Sequence, residues 1–506
     1  MLIETLHNTV EKYPDRLAVA DLLGMEMTYA RVLRVASVMK GFVEKATICP
    51  RVGIFLPSSV GFVVSYYGIL WAGRTAVPLN LLLHQDELRK IVADAGLDLV
   101  ITLRFPKDVA HLNDTVDKLP VSKKLYLNDL PLKRKVITSY LRPQPRLPRV
   151  EPDDVATLLY TSGTSGDPKG VMLTHRNLDG NARASIDHLK PEGEQRFLGL
   201  LPLFHSFGLT TMMLVPLTFG GSVYYLPRFQ PALVFKTLVK QRSTMVYAIA
   251  SMYSALLRVK NATPEDFKSI HACISGGEAL PPALYAAWLE RFEFPLLEGY
   301  GLTETSPVVS SNQPWANHAG TAGKLLPGVE ARAIDDDGNP LPPGQTGELV
   351  IRGELIMKGY YNKPTETAEV IDHDGWFKTG DMGWVDQDNY IAITGRKKEM
   401  IIVSGENIYP REIESVLDQH LAVAESAVIP EKVGGTRGEV PVGFVVLKEG
   451  QTATDAQLRD HCRTRLPQYK VPKVVWIAED LPRGPTGKIL KRALDPAGPA
   501  KTPAAT

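Results

Sequence analysis

Between Val52 and Thr102 the chain repeatedly switches its hydrophobic period, and this restricts the possible folds more than any other feature. Val52-Gly53-Ile54-Phe55-Leu56 is an apolar run of strand length. Val60 to Trp71 is apolar all round and reads as a buried helix. Thr75 to Leu79 is a second strand, His84 to Ala95 an amphipathic helix, and Leu97 to Thr102 a third strand. Strands separated by a helix pair in parallel, with the helices covering the sheet faces. The rhythm returns at Ser222-Val223-Tyr224-Tyr225 and Thr244-Met245-Val246-Tyr247. Between Gly320 and Tyr361 short alternating runs, Val329 to Ile334 and Gly347 to Arg352, are separated by Asp335-Asp336-Asp337-Gly338-Asn339 and a Pro/Gly-rich stretch. Those are turn signals between antiparallel strands.

The expected fold class is α/β. A large N-terminal domain with layered mixed and parallel sheets carries a small β-barrel-like subdomain, and a small mobile α+β C-terminal domain follows. The boundary falls at the charged junction Gly395-Arg396-Lys397-Lys398. Beyond it, strands are expected at Met400 to Val403, Val423 to Ile429, Gly443 to Leu447 and Lys473 to Ile477, with helices at Pro410 to Asp418 and Asp455 to Leu466. The domains are therefore 1–396, with a β-rich subdomain at 320–395, and 397–494. The Pro/Ala-rich tail 495–506 is expected to be disordered. Arg104 to Arg149 shows no clear period.

At 506 residues the chain has room for two to four packed units. Its 57 Lys and Arg nearly balance 56 Asp and Glu, so no global field draws it to nucleic acid or an anionic membrane. Cys49, Cys273 and Cys462 are far apart and have no metal-ligand spacing, which suits structural thiols in a reducing compartment. The acidic, amphipathic N-terminus is no signal peptide, and Phe62 to Trp71 is too short to span a bilayer. A cytoplasmic protein is expected, with peripheral membrane contact left open.

Tyr160 to His175 reads YTSGTSGDPKGVMLTH. Two strand-like runs, Ala156 to Tyr160 and Val171 to Leu173, flank a loop of Thr, Ser and Gly closed by Pro168-Lys169-Gly170. Thr174 is placed to cap a helix. Small residues let backbone N–H groups approach phosphate oxygens, hydroxyls add donors and Lys169 adds charge. A Walker A loop would need Gly-Lys-Ser/Thr leading straight into a helix, and this segment does not.

The segment resembles the phosphate-binding signature of the adenylate-forming enzymes: acyl- and aryl-CoA synthetases, amino-acid adenylation domains and luciferases. The likeness continues in order along nearly the whole chain, and the sequence most resembles bacterial fatty-acid–CoA ligases. It implies that Thr161, Ser162, Gly163, Thr164, Ser165, Gly166 and Lys169 cradle the phosphates of ATP. Ser165 stands where Thr is commoner. In EGYGLTETSP the resemblance gives Tyr300 and Gly301 to adenine, Thr303 to a phosphate and Glu304 to Mg²⁺. In ISGGEAL it sets Gly276, Gly277 and Glu278 against adenine. In LPLFHSFG it brings His205 near the reacting carboxylate, with Gly208 beside an acyl tunnel. Asp381 in GWFKTGD and Arg396 would take the ribose hydroxyls, and Lys398 would be the hinge. Ser404-Gly405-Glu406-Asn407 would contact the thiol cosubstrate. Lys488 in LPRGPTGKIL would be the catalytic lysine.

The reaction implied is ATP-dependent, AMP-forming ligation of a carboxylic acid to coenzyme A. The segment Phe204 to Phe207 offers no carboxylate for an α-ammonium, and Thr211-Met212-Met213-Leu214, Tyr247 and Ile249 are bulky or apolar. An unpaired ammonium is costly there, so a medium- to long-chain fatty acid is expected and an aryl acid is the alternative. Loading of an acyl carrier protein is a further alternative. A non-catalytic nucleotide-binding relative is disfavoured by retention of Lys169, Glu304, Asp381, Arg396 and Lys488.

Overall fold

A computed structural model describes residues 1–141, 145–162, 168–403, 406–433, 438–483 and 489–498. Among them the chain builds five sheets. The first has nine strands in the order Lys324–Leu325, Val308–Ser311, Leu296–Gly301, Ala272–Ser275, Met245–Ala248, Arg196–Gly199, Ser222–Tyr225, Leu17–Asp21 and Glu26–Thr28. It is parallel from Leu296–Gly301 through Leu17–Asp21 and antiparallel at both edges. The second has seven strands: Gly359–Tyr360, Pro168–Thr174, Val155–Ser162, Thr75–Pro78, Arg51–Ile54, Leu99–Thr102 and Lys123–Tyr126. The Arg104–Arg149 stretch thus supplies a parallel edge strand, Leu99 pairing with Lys123.

Alternation along the strands shows how the layers stack. In the second sheet Ile54, Ala76, Leu99, Ile101 and Leu159 join one core, while Phe55, Val77, Val100 and Leu158 join another. In the first sheet Phe197, Tyr247, Ala272, Ile274 and Leu297 belong to that same first core, and Leu198, Val246, Cys273 and Leu296 to a third. Successive strand residues point to opposite faces, so each sheet is buried on both sides and the two share one helical layer. That layer includes Tyr29–Ala46, Val60–Trp71 and His175–Leu189.

The helix Val60–Trp71 has the extent read from sequence, and every residue in it is buried. Each large apolar side chain contributes about 1.5–3 kcal/mol by leaving water, so packing and not an amphipathic stripe holds it. Ser59 caps its start by accepting from the Phe62 N–H. A Cβ at Gly68 would sit 2.5 Å from Met39 Cβ, so only glycine permits its close approach to Tyr29–Ala46.

Glu330–Ile334, Gly347–Arg352, Phe377–Val385 and Ile391–Arg396 form a four-stranded antiparallel sheet with its own core around Leu349, Ile351 and Ile391. Beyond Arg396 lie the hairpin Ile401–Val403 with Glu406–Ile408, a three-stranded sheet of Val423–Lys432, Glu439–Leu447 and Val475–Ala478, and helices Pro410–Leu417 and Asp455–Arg463. Asp495 to Gly498 form a turn whose Pro496 carbonyl accepts from Trp476 Nε1. The remainder of the tail, 499–506, lies outside the described residues. Among the described residues no helix is long and apolar enough to cross a membrane.

Candidate active site

In parallel sheets ligands gather where strands end at their carboxyl termini. Ala272–Ser275 runs into Gly276-Gly277-Glu278. Leu296–Gly301 contains Tyr300 and Gly301 and leads into the short turn Thr303–Thr305. Arg196–Gly199 leads to the His205 segment. These strands stand side by side or one strand apart in register, Ser275 opposite Glu298 and Ala248 opposite Ser275.

The glycines are there for room. A Cβ on Gly301 would fall 2.0 Å from the Pro307 carbonyl oxygen, and one on Gly276 would fall 2.9 Å from the Phe207 ring. Gly277 has φ +76°, a conformation that favours glycine. Glu278 accepts from the Ser251 N–H at 3.0 Å, which fixes the loop against the next one. Thr303 meets the Ser206 hydroxyl at 3.1 Å, so the threonine turn and the His-aromatic segment touch. His205 caps the short helix Ser206–Leu209, its Nδ1 accepting from the Phe207 N–H at 3.3 Å.

Asp381 and Arg396 face each other across paired strands and form an ion pair at 2.6 Å. The Tyr300 hydroxyl donates to the other Asp381 oxygen at 2.5 Å. Burial, and then the Asp381 charge, push the Tyr300 phenol far above its ordinary pKa, so it stays a donor. The Asp381 side chain is almost completely buried while Arg396 is about half exposed. Tyr300, Asp381 and Arg396 therefore form one cluster built from two sheets.

The phosphate-loop strands form a hairpin with Thr161 opposite Lys169, and Thr174 caps the following helix by accepting from the Asn177 N–H. Backbone at Ser162 belongs to the first strand. Gly163, Thr164, Ser165, Gly166, Ser404, Gly405 and Lys488 lie outside the described residues. Arg483 and Ile489, which flank the Lys488 segment, pair as an isolated antiparallel bridge. Arg483 and Arg411 lie close enough to Glu278 and Glu298, respectively, for the charges to act on one another. The C-terminal residues thus face the same loops.

Two details add to the sequence reading. At Gly208 a Cβ would stand 2.1 Å from the Pro202 carbonyl oxygen, so the position has no room for a side chain in that direction. Nearby, the Phe207 ring packs against Gly276 and lies edge-on to Tyr247 at 6.2 Å, with Tyr247 stacked on Phe197 at 6.1 Å. The other is Tyr360, which the sequence did not single out. Its hydroxyl donates to Glu304 Oε1 at 2.9 Å. The available signal was an aromatic pair after Gly359 on a short strand, which is weak alone.

Residues 6–361 match the family described as AMP-binding enzyme, and residues 412–488 match the AMP-binding enzyme C-terminal domain. The chain belongs to the AMP-binding enzyme family. It is 35% identical to the long-chain-fatty-acid–CoA ligase of Bacillus subtilis (strain 168), covering 97% of this chain and 93% of that one. It is also 35% identical to a feruloyl-CoA synthase from Amycolatopsis sp., over 92% of this chain and 93% of the relative. ATP-bound MatB from Rhodopseudomonas palustris superposes with a TM-score of 0.88 at 30% identity, covering 97% and 98% of the two chains. The α/β layers and separate C-terminal portion agree with the fold class expected from the sequence.

Proposed function

We propose that this AMP-binding enzyme is an acyl-CoA ligase that joins a hydrophobic carboxylic acid to coenzyme A by way of an acyl-adenylate. The Tyr300–Asp381–Arg396 cluster carries the reading, since it brings an aromatic ring, a buried carboxylate and a guanidinium into mutual contact. A carboxylate is well suited to accept two vicinal ribose hydroxyls. In the first step an oxygen of the acid attacks the α-phosphorus of ATP, and the bond to the β-phosphate breaks to release pyrophosphate. Both reactants are anionic, so repulsion is the barrier. Lys169, Thr303 and the backbone of the Thr/Ser/Gly loop hold the phosphates, and Lys488 bridges carboxylate and α-phosphate. This is positional and electrostatic catalysis. His205 steadies the reacting carboxylate.

Among the described residues no group of three or more His, Cys, Asp or Glu could hold a metal unaided. The single Glu304 carboxylate, held at one oxygen by Tyr360, fits Mg²⁺, which takes one or two carboxylates and completes its shell with nucleotide oxygens and water. Glu304 would be the protein ligand, and the ion would supply neutralising charge at the phosphates. Gly276, Gly277, Glu278 and Gly301 shape the adenine site.

In the second step the thiol sulfur of coenzyme A bonds to the acyl carbon, the carbon–oxygen bond to AMP breaks, and the thiol proton is lost. The portion 397–494 turns about Lys398 between the steps, bringing the Ser404–Asn407 segment in place of Lys488. Ion pairs on either side support a pivot there. Lys397 is tied to Asp336 and Glu348 on the N-terminal side, and Glu399 to Lys491 on the other.

A fatty acid is the favoured substrate, because the segment around Phe204 to Phe207 has no carboxylate to hold an ammonium. The Phe207–Tyr247–Phe197 aromatic cluster gives the aryl-acid reading its specific support. Incubating the enzyme with ATP, Mg²⁺, coenzyme A and a mixed panel of fatty, aryl and amino acids, then reading thioesters by mass spectrometry, tests both. Fatty acyl-CoA products are expected. Aryl products alone would select the second reading, and aminoacyl products would overturn both.

A further inference from the structure

Tyr360 touches both groups assigned to the triphosphate. Its hydroxyl donates to Glu304 Oε1 at 2.9 Å, and the Lys169 ammonium lies over its ring, 5.0 Å from the centroid. The backbone makes the same connection. Gly359–Tyr360 pairs with the Pro168–Thr174 strand, Tyr361 N–H donates to the Gly170 carbonyl at 2.7 Å, and Met357 N–H donates to the Glu304 carbonyl at 2.8 Å. Tyr360 itself is pinned, its N–H donating to Thr367 Oγ1 at 2.9 Å, and it is buried. One short segment therefore ties the Lys169 strand to the Glu304 turn.

A phenol 2.9 Å from a carboxylate oxygen is the donor of the pair. A carboxylate held by a fixed donor at one oxygen has a defined orientation for its other oxygen. A lysine held over a ring face keeps its charge, because the cation–π attraction neutralises nothing. A lysine and a glutamate in direct contact would instead quench each other and leave neither for ligand. We propose that Tyr360 is a positioning residue that separates Lys169 from Glu304 and aims the Glu304 carboxylate at the Mg²⁺ of bound ATP. The inference rests on the reading of Glu304 as metal ligand and Lys169 as phosphate contact.

Calorimetric titration of ATP in EDTA and in excess Mg²⁺, without acid or coenzyme A, separates the possibilities for wild type, Tyr360→Phe, Tyr360→Leu and Glu304→Gln. Tyr360→Phe should bind ATP within about twofold of wild type in EDTA and lose about tenfold in Mg²⁺, the scale of one hydrogen bond to a charged group. Tyr360→Leu, lacking the ring under Lys169, should lose affinity in both buffers while its ligand-free thermal midpoint stays within a few degrees of that of Tyr360→Phe. If Tyr360→Phe keeps wild-type Mg²⁺ dependence while Glu304→Gln loses it, the role of Tyr360 is overturned and that of Glu304 stands. If Glu304→Gln also keeps it, the metal assignment falls, and Tyr360 with it. Parallel losses in both buffers for Tyr360→Phe, accompanied by a lower melting point, would mark Tyr360 as structural and overturn the proposal.

Discussion

Asp381 is the residue on which the proposed ribose contact turns. It already holds two partners, the Tyr300 hydroxyl and the Arg396 guanidinium, so a ribose must join or replace bonds that are charge-assisted. Asp381→Asn keeps the size and removes the charge. Hydrogen bonds to charged groups are worth about 1.5–3 kcal/mol, so KM for ATP should rise by about 10- to 100-fold in an acid-dependent pyrophosphate-exchange assay. An unchanged KM would remove Asp381 from the ribose site. Glu298 makes a different prediction. Burial pushes its carboxyl up to about 7 from 4.5, against the opposing pull of the Leu280 N–H and the Arg411 charge. Because the folded value lies above the unfolded one, its contribution to stability is complete below about pH 4.5 and is lost as pH climbs through about 7. Glu298→Gln should therefore flatten the fall in melting temperature across that window. Parallel curves for variant and wild type would refute the shift.

The segment from Leu201 to Leu209 shows which local features sequence can and cannot reveal. The motif LPLFHSFG announced a special loop, but not which way Gly208 faces. Its missing side chain points at the Pro202 carbonyl, a contact set by the turn and not by any periodicity. Gly208→Ala should thus cost about 3 kcal/mol of stability by overpacking, with an unaltered ranking of acids. Phe207→Ala, next to Gly276 and Tyr247, should change the ranking of kcat/KM between wide and narrow acids. The opposite pattern, a changed ranking for Gly208→Ala and none for Phe207→Ala, would mean the acid lies elsewhere. Elements with strong local signals were legible: the helix Val60–Trp71 from its unbroken apolar run, and the start of His175–Leu189 from the Thr174 cap. The edge strand Lys123–Tyr126 was not, because its mixed lysine and apolar residues carry no clear period.

What sequence concealed most at the level of the fold was which strands share a sheet. The early β-α-β rhythm pointed to layered sheets without saying which strands each holds, and Leu17–Asp21 pairs with Ser222–Tyr225 in a sheet separate from the Arg51–Ile54 strand. Pairing across some two hundred residues is decided by packing of the shared helical layer, and no local pattern encodes it. The same holds for the site. Tyr300 and Asp381 were each singled out by motif, but their contact joins two sheets, and Tyr360 joined the site only through its partners. At the charged junction after Arg396, ion pairs anchor both flanks of Lys398. Proline fixes φ and removes an N–H donor, so Lys398→Pro should spare adenylate formation while slowing thioester formation at least about tenfold. Equal loss in both half-reactions would argue against a pivot there.

The central claim is that the acid is activated as an ester of AMP, and oxygen tracing tests it most directly. A carboxylic acid accepted in the panel, labelled with ¹⁸O in its carboxylate, is turned over with ATP and coenzyme A, and the nucleotide and phosphate products are weighed by mass spectrometry. The account predicts one ¹⁸O atom in AMP and none in pyrophosphate. Label in inorganic phosphate with ADP as the nucleotide product, or AMP without label, would contradict it.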